Sequence, residues 1–139
     1  MSVEIGFPFE FVVQGTPASL QTKRAQSRQA WRDRVRAASR VALPEGHYAA
    51  ERRISVTLFY FPVTEMQGDI DNIVKPILDA LCQHIYIDDK QVERVWVQKF
   101  EPDTIFQFSA PSATLASAIQ GDRPMLYVRI SDDPTEGLV

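Results

Sequence analysis

The chain is predicted to fold as a single compact α+β domain, a mixed β-sheet with two main helices packed on it. Two observations carry that expectation. Segments rich in aromatic and β-branched residues alternate with two segments whose apolar residues recur at helical spacing, in the order strand, helix, strand, helix, strand, strand. The length, 139 residues with 45% hydrophobic and 24% charged, suffices for one core and not comfortably for two. The domain is expected to occupy residues 1–131, with 132–139 as a frayed tail.

The elements follow in order. FPFEFVV, residues 7–13, alternates as a first strand should. After the loop QGTPASLQTK, a helix is expected from Ser27 as N-cap, with Trp31, Val35, Ala38 and Ala42 on its apolar stripe and Pro44 and Gly46 as its stop. ISVTLFYFP, residues 54–62, is apolar at both alternating sets, as in a central strand covered on both faces. A second helix is expected from Asp71 or Asn72, both good caps, to about Gln83, burying Ile73, Ile77, Ala80 and Leu81, with Pro76 just past its first turn. Residues 92–100 alternate again, with Val95 and Val97 on one face and Trp96 on the other; Trp31 and Trp96 are both assigned to core faces. Residues 101–124 read as a loop with a short helix around Ala113 to Ile119, and MLYVRI, residues 125–130, as the last strand.

Composition narrows the function classes. A lone cysteine, Cys82, cannot form an internal disulfide, and no basic segment leads into a long apolar run, so a cytoplasmic protein without a membrane span is expected. The net charge of −3 argues against a general nucleic-acid coat, but its distribution reverses that argument locally. From Lys23 to Arg40 seven basic residues stand against Asp33 alone, a net +6 that leaves −9 for the remainder. Arg32, Arg36 and Arg40 follow at four-residue intervals, so one flank of the first helix is expected to present a row of guanidinium groups. A solvated helix face is the commoner fate of such runs.

The chemistry concentrates in GDIDNIVKPILDAL, residues 68–81, and IYIDDKQ, residues 85–91. In an extended lead-in, residues two apart point the same way, so Asp69 and Asp71 direct both carboxylates to one volume, and Asp89, with Asp88 beside it, is expected to reach the same end of the sheet. Acids so gathered resist ionising unless a cation sits among them, and hard oxygen donors without His or Cys at ligand spacing favour Mg²⁺, with Mn²⁺ as the alternative. Lys75, one turn beyond Asp71, can reach either that carboxylate or a bound phosphate. The same residues also admit a purely local account, in which Asp71 caps the helix and pairs with Lys75 while IDDKQ makes a polar turn. Neither a P-loop nor a dinucleotide-binding glycine pattern is present, and His47 and His84 lack metal-type companions.

Taken together, the two segments resemble the RusA family of Holliday junction resolvases, whose signature combines Asp-x-Asp-Asn, a lysine three residues on, Asp-Ala-Leu, and then Asp-Asp followed by Gln-Val. The resemblance implies a small α+β homodimer that binds four-way DNA junctions and nicks opposing strands with Mg²⁺ in recombination and repair. It implies Asp69, Asp71 and Asp89 as metal-binding carboxylates and Lys75 as the catalytic lysine, with Asn72 and Asp88 in support. The basic segment then gains a role, with Lys23, Arg24, Arg28, Arg32, Arg36 and Arg40 expected on the DNA backbone. A non-catalytic junction-binding protein on the same fold is the alternative, and an interaction domain whose acids merely cap and turn is the third.

Overall fold

The first strand pairs with the last. In a computed structural model, which describes residues 2–17 and 25–138, β1 (Phe9–Gln14), β2 (Ile54–Phe61), β3 (Val92–Lys99) and β4 (Met125–Ser131) form one sheet in the order β1-β4-β2-β3. Pairing is antiparallel from β1 to β4 and from β4 to β2, and parallel from β2 to β3, so the sheet is mixed as expected. Parallel neighbours need a crossover, and α2 (Asp71–Leu81) supplies it.

Helix α1 (Ala25–Ala42) already contains Ser27, so the expected cap lies inside the helix rather than at its start. Trp31, Val35 and Ser39 are its buried residues, whereas Ala42 is exposed. Trp31 and Val35, together with Ile73, Ile77, Ala80 and Leu81 of α2, pack on Phe11, Val13, Val56, Leu58, Tyr60, Leu126 and Val128 of the sheet. Full burial of a side chain such as Ile73 or Ile77 contributes roughly 1.5–3 kcal/mol, and this face is filled with them. A close approach fixes α1 on β1. Gly15 has φ of +117°, and the Arg34 guanidinium, which donates to Gln14 O at 3.2 Å, lies where a side chain at Gly15 would begin.

Every residue of β2 is buried, because the opposite face is covered too. The short helix expected near 113–119 forms as α3 (Ala113–Gln120), capped by Ser112 Oγ, which accepts from Leu115 N at 3.1 Å. Leu115 and Ala118 pack there with Phe59, Phe61, Phe100, Met125 and Tyr127. Phe59 lies 5.4 Å from Phe100 and 5.6 Å from Tyr127 between ring centroids. The domain therefore has its two main helices, α1 and α2, on one face and the short α3 on the other.

Two sequence expectations change. Trp96 is 53% exposed, since β3 is an edge strand; its ring meets Phe59 in a T-shaped pair, 5.1 Å between centroids. The segment after β4, expected to fray, is tied back through Glu136, whose carboxylate accepts from Arg129 and whose backbone oxygen accepts from Arg94 Nη1 at 2.8 Å. No described helix is long and apolar enough to cross a membrane.

A polar weld joins α1 to the end of α2. Arg36 Nε donates to Ala80 O at 2.8 Å, satisfying a carbonyl of the last turn. The Ser39 hydroxyl donates to Arg36 O at 2.6 Å and is left to accept from His84 Nε2 at 2.7 Å. Burial foremost, then the neighbouring His47, Arg40 and Arg36, pushes the His84 pKa down to about 4, so the ring is neutral at physiological pH.

Candidate active site along helix α2

Helix α2 begins without a side-chain cap. Ile70 occupies the N-cap position and Asp71 the first helical one, so neither Asp71 nor Asn72 caps as expected; Asn72 contributes its backbone N–H to Asp69 O at 3.1 Å. A carboxylate at the first position still meets the positive end of the helix dipole. The helix ends at Leu81 rather than Gln83, where φ turns to +64°. Pro76 lies in the second turn and is buried.

Asp69, Asp71, Asn72 and Lys75 are all exposed. Asp71, Lys75 and Asp79 succeed one another at four-residue intervals and so form one stripe along α2. Lys75 Nζ bonds Asp79 Oδ1 at 2.9 Å, not Asp71, and this bond is the first cause that raises its pKa and keeps it charged. The approach to Asp69 is anchored from behind, where Glu101 Oε2 accepts from Met66 N at 2.8 Å.

Asp88 and Asp89 have different tasks. Asp88 is the N-cap of a 3₁₀ turn, Asp89–Gln91, and accepts from Lys90 N at 2.8 Å. Asp89 turns the other way. The buried Tyr86 hydroxyl donates to Asp89 Oδ1 at 2.8 Å and shares its proton with Leu78 O at 3.0 Å. Burial and that bond raise the phenol pKa, so it stays protonated and remains a donor. Asp89 adds, after Asp79, to what keeps the Lys75 ammonium charged.

The expectation that Asp89 reaches the same end of the sheet as Asp69 and Asp71 is corrected by topology. Because β3 runs parallel to β2, with Ile54 opposite Val92 and Tyr60 opposite Lys99, Asp89 precedes the start of β3 while Asp69 follows the end of β2. What ties Asp89 to α2 is the Tyr86 hydroxyl, which it shares with Leu78 O. The donors are hard oxygens suited to Mg²⁺. They do not make a closed cage: among the described residues no group of three or more His, Cys, Asp or Glu stands close enough to hold a metal ion.

The basic row is not uniform. Lys23 and Arg24 lie outside the described residues. Arg28 and Arg40 are exposed, Arg32 is half-buried and donates to Gln29 Oε1 at 2.6 Å, and Arg36 is drawn into the weld with Ala80. The helical period correctly gives one flank, but a partner on a neighbouring element takes one guanidinium out of it.

The profile of a family described as endodeoxyribonuclease RusA matches residues 10–106. The chain belongs to the RusA family. A search among curated proteins finds no match. The RusA match spans β1 to the segment after β3 and contains Asp69, Asp71, Lys75, Asp88 and Asp89; it stops before α3 and β4. RusA enzymes are endodeoxyribonucleases that act on junction DNA, so the stripe along α2 is a candidate nuclease centre.

Two supports escaped sequence reasoning. Tyr86 reads as another apolar residue of a short run, yet its hydroxyl orients Asp89. Gln91, the Gln of the Asp-Asp signature, accepts at Oε1 from Ile87 N and Asp88 N, both at 2.8 Å, and donates from Nε2 to Ala50 O and Arg52 O, also at 2.8 Å. One side chain thereby holds the Asp-Asp turn to the approach of β2. Replacing Gln91 with Ala is expected to destabilise the fold by about 1–2 kcal/mol, since four hydrogen bonds go at once, three of them to exposed residues and one to the buried Ala50. Thermal unfolding reads that loss, and hydrogen exchange at Ile87 and Asp88 should rise with it; unchanged exchange would show that the turn holds without Gln91.

Proposed function

We propose that this chain is a Mg²⁺-dependent resolvase that nicks paired strands of four-way DNA junctions, working as a homodimer in recombination and repair. The observation that carries the reading is the family match over a segment that contains Asp69, Asp71, Lys75 and Asp89, each of them exposed. Asp69, Asp71 and Asp89 would hold Mg²⁺, or Mn²⁺ in its place. Mg²⁺ keeps several waters and is commonly held by one or two carboxylates plus substrate phosphate, so a closed cage of three carboxylates is not required. When bound, the metal polarises the phosphodiester and lowers the pKa of attacking water.

The chain's own groups do the rest. Lys75, charged and exposed, offers its ammonium to the phosphate as negative charge develops there. Tyr86 holds one oxygen of Asp89, leaving the other to turn outward. Arg28 and Arg40 offer backbone contacts that position the duplex arms. One chain supplies one such set of groups, so paired incision of a two-fold junction requires two copies.

The test is cleavage of a labelled four-way junction beside a linear duplex of the same sequence, with Mg²⁺ and with EDTA. Paired nicks in the junction that depend on Mg²⁺ are expected, with sedimentation giving a dimer. Binding of the junction without cutting at any divalent metal concentration would leave the non-catalytic alternative.

A further inference from the structure

The sheet face turned away from α1 and α2 holds a cleft that contains none of the acids Asp69, Asp71 and Asp89, nor Lys75. Its floor follows from strand register. Glu10 of β1 stands opposite Arg129 of β4, Arg129 opposite Thr57 of β2, and Thr57 opposite Trp96 of β3, so one cross-strand row places four side chains on one face. Helix α3 covers the neighbouring aromatic end and leaves this row open, beneath a cavity of about 610 Å³. Phe59, Trp96 and Phe108 give it aromatic walls, and Arg94, two residues before Trp96 on the same face, joins its lining.

The polar groups of the cleft are already arranged around an anion, and that anion belongs to the chain. The Glu136 carboxylate accepts from both terminal nitrogens of Arg129 and lies 3.9 Å from Arg94 Nη2. A carboxylate on two guanidinium groups occupies the position a phosphate would take, because Arg binds either through the same paired N–H geometry. Glu136 belongs to the short segment after β4, so vacating that position displaces few residues and breaks no strand. Across the cleft, the Tyr127 and Ser112 hydroxyls both donate to Oε2 of Glu10, so the carboxylate keeps acceptor capacity on Oε1 for the N–H groups of a ligand. Trp96 stands at the rim, half-exposed, its Nε1–H directed to Gln98 Oε1 at 3.2 Å.

We propose that this cleft binds a nucleotide, its base against Trp96 and its phosphate on Arg94 and Arg129 in the place that Glu136 now holds. Each part of the lining has a counterpart in that ligand: an aromatic platform for a base of any sequence, a carboxylate for its N–H groups, and paired guanidinium groups for the phosphate. The volume lies within the range of small-molecule and cofactor sites. The site straddles the shared family core: Glu10, Phe59, Arg94 and Trp96 lie within the match at residues 10–106, whereas Phe108, Ser112, Tyr127, Arg129 and Glu136 lie beyond it. The ligand is either a free mononucleotide or the phosphorylated end of a DNA strand, which present the same chemistry.

Binding is measured on the full chain in EDTA without junction DNA, so the outcome is separate from that of the cleavage test. The probes are dAMP, deoxyadenosine, inorganic phosphate and a short 5′-phosphorylated single strand, followed by tryptophan emission and by equilibrium dialysis. Saturable quenching by dAMP is expected, weaker by at least about tenfold for deoxyadenosine and for phosphate alone, since each lacks one half of the contacts. Glu136→Gln should tighten dAMP binding about tenfold by removing the internal anion, and Trp96→Ala, at an exposed position, should weaken it by a similar factor in dialysis. Tighter binding of the 5′-phosphorylated strand than of dAMP would make a DNA end the natural occupant; the reverse order would make it a free nucleotide. Absence of saturable binding in both the parent and Glu136→Gln, with normal unfolding curves, overturns the proposal. Equal affinity for phosphate and dAMP overturns it as well, by reducing the cleft to an anion site.

Discussion

A chain carrying Asp71→Asn is expected to bind a four-way junction as the parent does and to leave it uncut. Asp71 is exposed at the first position of α2 and caps nothing with its side chain, so the change removes a favourable charge at the helix start, about 0.3–1 kcal/mol, and no buried contact. The fold should survive it. What goes is a carboxylate that the proposed chemistry needs for its metal, and the loss of rate should exceed the ~10–100-fold that removal of an outer partner of a metal ligand costs. Asp89→Asn should behave alike, because the amide oxygen can still accept from Tyr86 while the charge is gone. Single-turnover cleavage in Mg²⁺, with gel-shift titration in EDTA, separates the two properties. Cutting at the parental rate by either variant would remove that residue from the site.

Lys75→Met is expected to lower the single-turnover rate by roughly 10²–10³-fold with junction affinity little changed. Methionine keeps the length and apolar stem of the side chain and deletes the ammonium. The exposed pair with Asp79 carries little stability of its own, being screened by solvent, so unfolding should barely move. That pair also poses a sharper question, because Asp79 competes with phosphate for the same ammonium. Asp79→Asn frees Lys75, and if the lysine acts on the developing charge, this variant should cut at least as fast as the parent. A Lys75→Met chain that binds poorly but cuts normally once saturated would make Lys75 a docking residue instead.

The parts of this site legible in the sequence are those that depend on local period. The stripe Ile73, Ile77, Ala80 and Leu81 required only a helix, and once that helix was placed Asp71 and Lys75 had to share a flank. The covered strand β2 declared itself by apolar residues at every position. What period cannot carry is which elements become neighbours. Trp96 alternates correctly with Val95 and Val97, yet its exposure follows from β3 lying at the sheet edge, and strand order is written nowhere in the alternation. Arg36 belongs to the basic row by spacing, but the carbonyl it bonds is on another helix. Tyr86 looks like core because it is core; only its hydroxyl, 2.8 Å from Asp89, has a second task. The end of the sheet that Asp89 approaches was open to inference, since a helix between two neighbouring strands makes them parallel and carries the chain back to the starting edge.

The place of β4 between β1 and β2 has a consequence for the order of events during synthesis. Of the described strands, the first to leave the ribosome has as its sheet partner the last one made, and within the sheet β4 joins β1 to the β2–α2–β3 unit that carries the acids. Until residues 125–131 are available, β1 and one edge of β2 have unpaired backbone, and the apolar side chains on both faces lack their neighbours. Contacts of such long sequence separation close late and slowly. A nascent chain that already contains every signature residue of the nuclease therefore lacks the sheet that would hold them. The topology delays a DNA-cutting activity until β4 has been made.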